Sequence, residues 1–143
     1  MSIETANNQP ENHLAGSEAE LQSQLSQKVS GLLFPSESES PIQTVVFEKN
    51  PLDALKEQYP AKADQIVSAD FAEFYDKYAV KKDYQSEARK QFADHLAQAL
   101  DLMKHNLKNI EVYRIGDVNI DIFILGQDSA GKWTGLQTSV VET

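Results

Sequence analysis

Cysteine is absent from the sequence, which excludes a disulfide framework and any thiolate metal site. Basic residues are scarce: 13 Lys and Arg stand against 22 Asp and Glu, for a formal net charge of -9. That deficit disfavours sequence-independent attraction to nucleic-acid phosphates and suits a partner with a basic surface. No apolar run approaches the ~20 residues that span a bilayer. The start, Met1-Ser2-Ile3-Glu4-Thr5, has neither the basic nor the apolar region of a secretory signal. A soluble, cytoplasmic protein without membrane contact is expected. The patterns of common chemistry are also missing: there is no His-Glu-x-x-His, no phosphate-cradling glycine loop and no Gly-x-Ser-x-Gly elbow. His95 and His105 fall ten residues apart on one expected helix, near opposite faces, and His13 lies in a polar N-terminal stretch. They form no chelate, so no cofactor of its own is expected.

What is present amounts to one domain, since 143 residues can bury a two- or three-layer core but not two full ones. Residues 1–16 are rich in Asn, Glu, Gln and Ser and bury too little apolar surface to offset their ordering entropy, so they are expected to be a disordered tail. The domain is expected over 17–143. Ser17-Glu18-Ala19-Glu20 has the form of a capping box, and Leu21, Leu25, Val29 and Leu32 follow at helical spacing. They predict a helix over 18–30 that stops at Gly31. An apolar plug, Leu32-Leu33-Phe34, then leads into an acidic loop bracketed by Pro35 and Pro41.

A strand is expected over 42–48, ended by Asn50-Pro51, with a short helix before Pro60 and a short strand around 65–68. Asp70 and Glu73 form the capping signature of a helix over 71–78, whose Phe71, Phe74, Tyr75 and Tyr78 share one face. Ala88, Phe92, Leu96, Ala99, Leu100, Met103 and Leu107 form the apolar stripe of a longer helix over 84–107. Strands over 111–115 and 118–125 flank Gly116-Asp117, a two-residue hairpin signal, and Ile120, Ile122 and Ile124 alternate with polar residues. A last strand over 132–141 completes a C-terminal β-meander. The fold class is α+β with a mainly antiparallel sheet.

Chemistry-bearing candidates are few. The chain closes on Thr138-Ser139-Val140-Val141-Glu142-Thr143, strand almost to its last residue, so a hydroxyl and a carboxylate are expected on a fixed scaffold rather than a frayed end. Glu37 and Glu39 stand two apart in the Pro-bracketed loop, a spacing that serves a cation, an acid and base pair, or simple solvation. Residues 1–40 carry six acids and one lysine. Eight of the 13 basic residues gather around the two later helices but interleave with Asp76, Asp83, Glu87, Asp94 and Asp101, which marks mixed solvent-facing surface more than a phosphate site. Trp133 is expected in the core.

Taken together, Ser30-Gly31-Leu32-Leu33-Phe34-Pro35-Ser36-Glu37-Ser38-Glu39, Lys104-His105-Asn106-Leu107-Lys108-Asn109 with Val112-Tyr113-Arg114-Ile115-Gly116-Asp117-Val118, and the closing Val140-Val141-Glu142-Thr143 resemble the nuclease A inhibitor family. The resemblance implies a three-layer α/β/α sandwich that blocks a magnesium-dependent, sugar-non-specific DNA/RNA endonuclease, one to one, without itself touching nucleic acid. Residue by residue, it implies that Glu37 meets basic residues of the nuclease site and that Thr143 reaches the nuclease's magnesium. It also implies an interface role for Asp83, although its flanks Lys82 and Tyr84 depart from the family pattern. Glu39 beside Glu37 and Glu142 beside Thr143 complete the expected contact set. A hard cation that prefers oxygen ligands and a basic wall that holds phosphate are the features such groups would occupy.

Two other readings compete. One is an acidic protein-interaction module of the same fold with a non-nuclease partner, because fold does not fix function. The other is a carboxylate-dependent hydrolase built on Glu37 and Glu39, which lacks an accompanying base, nucleophile or pocket signature.

Overall fold

The computed structural model describes residues 18–35 and 39–142. The expected tail, the cap residue Ser17 and the site candidates Glu37 and Thr143 lie outside them. In chain order the elements are α1 (Glu18–Val29), β1 (Gln43–Phe47), α2 (Pro51–Gln58), a 3-10 segment (Pro60–Gln65), β2 (Ile66–Ala69), α3 (Phe71–Tyr78), α4 (Glu87–Asn106), β3 (Lys108–Ile115), β4 (Asn119–Gln127) and β5 (Trp133–Val141). The strands form one sheet in the order β1-β5-β4-β3-β2, with every neighbouring pair antiparallel. The fold is therefore α+β, and the expected meander β3-β4-β5 is its centre. No helix among the described residues is long and apolar enough to cross a membrane.

Period-two alternation along β4 divides the sheet into two faces. Ile120, Ile122 and Ile124 lie in the larger buried cluster with Val112, Leu136 and Val140. Leu21, Leu25 and Val29 of α1, Phe74 and Tyr78 of α3, and Phe92, Leu96, Leu100 and Met103 of α4 belong to that same cluster. The intervening residues Phe123 and Leu125, with Ile115, form a second cluster around Leu55 of α2, and Tyr59 packs against it. Burying a leucine, isoleucine or phenylalanine is worth ~1.5–3 kcal/mol, so the face that carries α1, α3 and α4 (the helix face) dominates the stability.

Helix starts and stops follow local chemistry. Asn50 does more than end a strand: its side chain accepts from the backbone N–H of Leu52 and Asp53, and Pro51 takes the first helical position of α2. The Asp70 side chain accepts from the N–H of Glu73 at 3.0 Å, as the capping signature implies. Gly31, at φ +75°, stops α1 in the left-handed conformation that costs other residues about 1–2 kcal/mol.

Three expectations need correction. The long helix begins at Glu87 rather than 84, because Ser86 caps it by accepting from the N–H of Arg89 at 3.1 Å. Tyr84 is accordingly 84% exposed, and Ala88 is exposed rather than part of the stripe. The β3–β4 hairpin is not a two-residue turn: Ile115 pairs with Asp121 and Val112 with Ile124. A two-residue turn would set Val112 opposite Asp121; the longer connection keeps apolar residues opposite one another on the helix face. Val118 thereby leaves the strand and is exposed. Trp133 is half-buried at the margin of the second cluster, not in the main core.

Gly135 sits where two backbones approach most closely: a Cβ there would stand 1.8 Å from the carbonyl oxygen of Ile124. Gly135→Ala is expected to cost ~3 kcal/mol or more, as for other overpacking in a fixed core. Urea denaturation measures it, and a loss below about 1 kcal/mol would mean that the β4–β5 pair yields readily.

Candidate partner-binding site

Three segments carry the expected contacts, and their roots can be followed individually. The first is the acidic loop. Its stem closes where Leu33 bridges Pro41 and the Phe34 N–H donates to the Ser40 carbonyl at 2.8 Å. Thr138 Oγ1 donates to the Pro41 carbonyl at 3.1 Å, which fastens the far side of the stem to β5. The Phe34 side chain is buried, with ring centroids 4.7 Å from Tyr78, 5.5 Å from Phe92 and 6.2 Å from Phe74. Glu39 is exposed and left-handed, at φ 48°, so the chain turns sharply as it re-enters the stem.

The second segment is the connection 79–86 between α3 and α4. Arg89 holds its base, donating from Nη1 to the Tyr78 carbonyl at 3.2 Å and from Nη2 to the Lys77 carbonyl at 3.1 Å. The guanidinium also lies 5.9 Å from the Tyr78 ring centroid and 5.2 Å from that of Phe92. One side chain thus caps the end of α3 and stacks on the two rings that receive Phe34. Asp83 is exposed and belongs to no ion pair among the described residues. A polar hollow of about 380 Å³ beside it is lined by Lys81, Lys82, Glu87, Lys90 and Asp94. Its lysines are matched by acids, with Lys81 3.5 Å from Asp94, Lys82 3.9 Å from Asp76 and Lys90 4.0 Å from Glu87.

The third segment is the chain end. β5 runs between β1 and β4, and Val141 pairs with Asn119. The Glu142 N–H donates to the Val118 carbonyl at 2.9 Å, and a Glu142 carboxylate oxygen lies 2.7 Å from Arg114 Nη2. That hydrogen bond, helped by the charges of Arg114 and Lys77 against a smaller opposing effect of burial, holds the Glu142 carboxyl below its ordinary value.

The described parts of two segments are therefore tied to the last turn of α3, where Phe34 packs on Tyr78 and Arg89 binds the carbonyls of Lys77 and Tyr78, while the chain end is held by β4 and by Arg114 of β3. Arg114 and Arg89 were among the eight basic residues that the sequence gathers around the two later helices, but neither was read as a residue that holds this site. A signal for Arg114 was present: it shares the strand parity of Ile110 and Val112, and a charge on an apolar face usually has a partner.

Elsewhere the polar groups have structural duties. Tyr59 donates to Asp121 at 2.7 Å and Ser139 donates to the other Asp121 oxygen at 2.7 Å. Burial first, then the Asp121 bond and charge, raise the Tyr59 pKa, so the phenol remains a donor at neutral pH. His95 and His105 each donate from Nδ1 to a carbonyl of their own helix, those of Gln91 and Asp101. Among the described residues no group of three or more His, Asp or Glu could hold a metal.

A carboxyl held below its ordinary pKa contributes stability that is present above pH 4.5, the ordinary value for Glu142, and is lost as the pH falls through the folded-state value. Glu142→Gln is therefore expected to be less stable than the wild type at neutral pH by ~0.2–1 kcal/mol, the range of partly exposed ion pairs. The difference should close in acid. Denaturation at a series of pH values reads it, and a difference that persists unchanged into acid would assign it to something other than the ion pair.

Comparison with individually curated proteins finds no match. Comparison with protein families matches residues 19–143 to the family described as nuclease A inhibitor-like protein. The match takes in the acidic loop, the connection before α4 and the chain end together, and on it the chain belongs to the nuclease A inhibitor-like family.

Proposed function

We propose that the protein binds one to one to a magnesium-dependent, sugar-non-specific endonuclease and blocks its active site. Membership of an inhibitor-like family over residues 19–143 is the observation that carries this reading. The rooting of the acidic-loop stem and the α3–α4 connection at the last turn of α3, and of Glu142 on Arg114, supports it, because contacts carried on a fixed scaffold cost a partner less entropy. In this reading Glu37 and Glu39 face the basic wall that otherwise holds phosphate, and Asp83 contributes at the flank. Thr143 offers oxygen to the nuclease's magnesium, a hard cation that exchanges water for oxygen ligands. The inhibitor needs no metal or cofactor of its own and performs no turnover.

Electrostatics divides the work. The surplus of acid, -9 formally, should speed encounter with a basic cleft, whereas the enclosed contacts set how long the complex lasts. Raising the salt from 0.05 to 0.5 M is expected to slow association by roughly tenfold or more while changing dissociation far less. Stopped-flow or surface-binding kinetics separates the two rates; a salt-independent association rate would argue against a basic target.

Titration against a magnesium-dependent, sugar-non-specific endonuclease tests the contacts. Removing Thr143, or extending the chain beyond it, is expected to weaken inhibition ~30-fold or more, and Glu37→Gln by ~10-fold or more, as for the truncation of enclosed polar partners. Thermal unfolding should be unchanged in both. Full inhibition without Thr143 would remove the metal contact, and no inhibition by the intact chain would remove the reading itself.

A further inference from the structure

We propose that Arg114 is a positioning residue for inhibition: it holds the Glu142 side chain and thereby limits the freedom with which the chain end meets a partner. The proposal rests on the reading that Thr143 meets the partner's magnesium. Three holds act on the end of β5 within two residues: the Val141 pairing with Asn119, the Glu142 N–H bond to Val118 and the Glu142–Arg114 ion pair at 2.7 Å. The first two fix the backbone direction. Only the third holds a side chain, and through it restrains φ of Glu142. A chain end left to swing would lose that freedom on binding and weaken the complex accordingly.

The placement of Arg114 makes the ion pair more than a surface accident. Arg114 pairs with Ile122 on one side and Val67 on the other, and Ile122 in turn pairs with Thr138. By strand parity Arg114 stands on the helix face beside Val112, which is buried in the main cluster. Its side chain is 27% exposed, against 42% for Glu142, so the guanidinium is the more enclosed partner and needs a counter-charge. The carboxylate of Glu142 supplies it.

An asymmetry follows. Arg114→Met removes the tether and leaves a carboxylate. Glu142→Gln removes the tether and also leaves an unneutralised guanidinium beside a segment meant to approach a basic, metal-holding cleft. The second loss should be larger.

Inhibition constants for Arg114→Met, Arg114→Lys, Glu142→Gln and a chain lacking Thr143 test this, together with the chain carrying both Arg114→Met and the Thr143 deletion. Against a magnesium-dependent, sugar-non-specific endonuclease, Arg114→Met is expected to weaken inhibition ~10-fold, within the range for coupled neighbours. Arg114→Lys should recover part of that loss, and Glu142→Gln should lose more. In the chain lacking Thr143, Arg114→Met should change inhibition less than about twofold, which a merely structural role would not produce. An equal effect of Arg114→Met with and without Thr143, or no effect in either, overturns the proposal. Amide hydrogen exchange of the free protein separates this from the fate of the parent reading. In Arg114→Met the Glu142 amide should exchange ~10-fold faster while Ile122 and Leu136 are unchanged. Unaltered exchange at Glu142 overturns the tether whether or not the nuclease is inhibited, whereas faster exchange with no inhibition by the wild type supports the tether and removes only the nuclease reading.

Discussion

The burial of one ring, Phe34, is the contact that joins two of the site's three segments, the loop stem and the α3–α4 connection. Closing a loop of about six residues costs ~1.6 kcal/mol beyond a constant. Burying a phenylalanine is worth ~1.5–3 kcal/mol, with ~0.5–1.5 kcal/mol more for a well-placed aromatic neighbour, and Phe34 has three such neighbours. The ring therefore outweighs the closure. The same ring determines more than the loop, because Tyr78 ends α3 and Phe92 stands in the second turn of α4. Wedged against both, Phe34 joins the loop stem to the two helices that the 79–86 connection links.

A second constraint comes from the sheet. The β3–β4 register places Val112, Ile124 and Leu136 side by side across the meander, and all three are buried in the main cluster. The neighbouring row is Arg114, Ile122 and Thr138, in which two of three residues are polar. Their polar groups do not lie idle: Thr138 holds the loop stem through Pro41 and Arg114 holds Glu142. One row, set between two apolar rows of the same face, thus serves both the loop and the chain end. It can do so because each polar atom finds a partner, without which its burial would be costly.

Much of this was legible in the sequence, and the misses have physical reasons. Helix α1, the Asp70 cap, the isoleucine alternation of β4 and the final strand depend on neighbours in sequence, so spacing reveals them. The helix start at Glu87 was missed because Ser86 and Asp83 can both cap, and only packing decides between them. The hairpin length was missed because Gly116-Asp117 is a local turn signal, whereas the register is set by which face of β3 and β4 is buried. Phe34 read as an apolar plug, but its aromatic partners come from α3 and α4, some 40 to 58 positions away. Arg89 acts through backbone carbonyls rather than through a motif, and leaves no pattern to read.

The total charge is a poor guide to what the site presents. Lys81, Lys82, Arg89, Lys90 and Arg114 lie on or near the elements that root it, and unneutralised cations there would oppose approach to a basic partner. Each is engaged. Lys81 faces Asp94, Lys82 faces Asp76, Lys90 faces Glu87, and Arg114 faces Glu142, while Arg89 is committed to the carbonyls of Lys77 and Tyr78. Exposed pairs of this kind add little stability, but within a screening length of about 8–10 Å they cancel locally. Glu39 and Asp83 are exposed and, among the described residues, take part in no ion pair. Under the proposed function, these two carboxylates, more than the total number of acids in the chain, are what a basic partner would meet at this end.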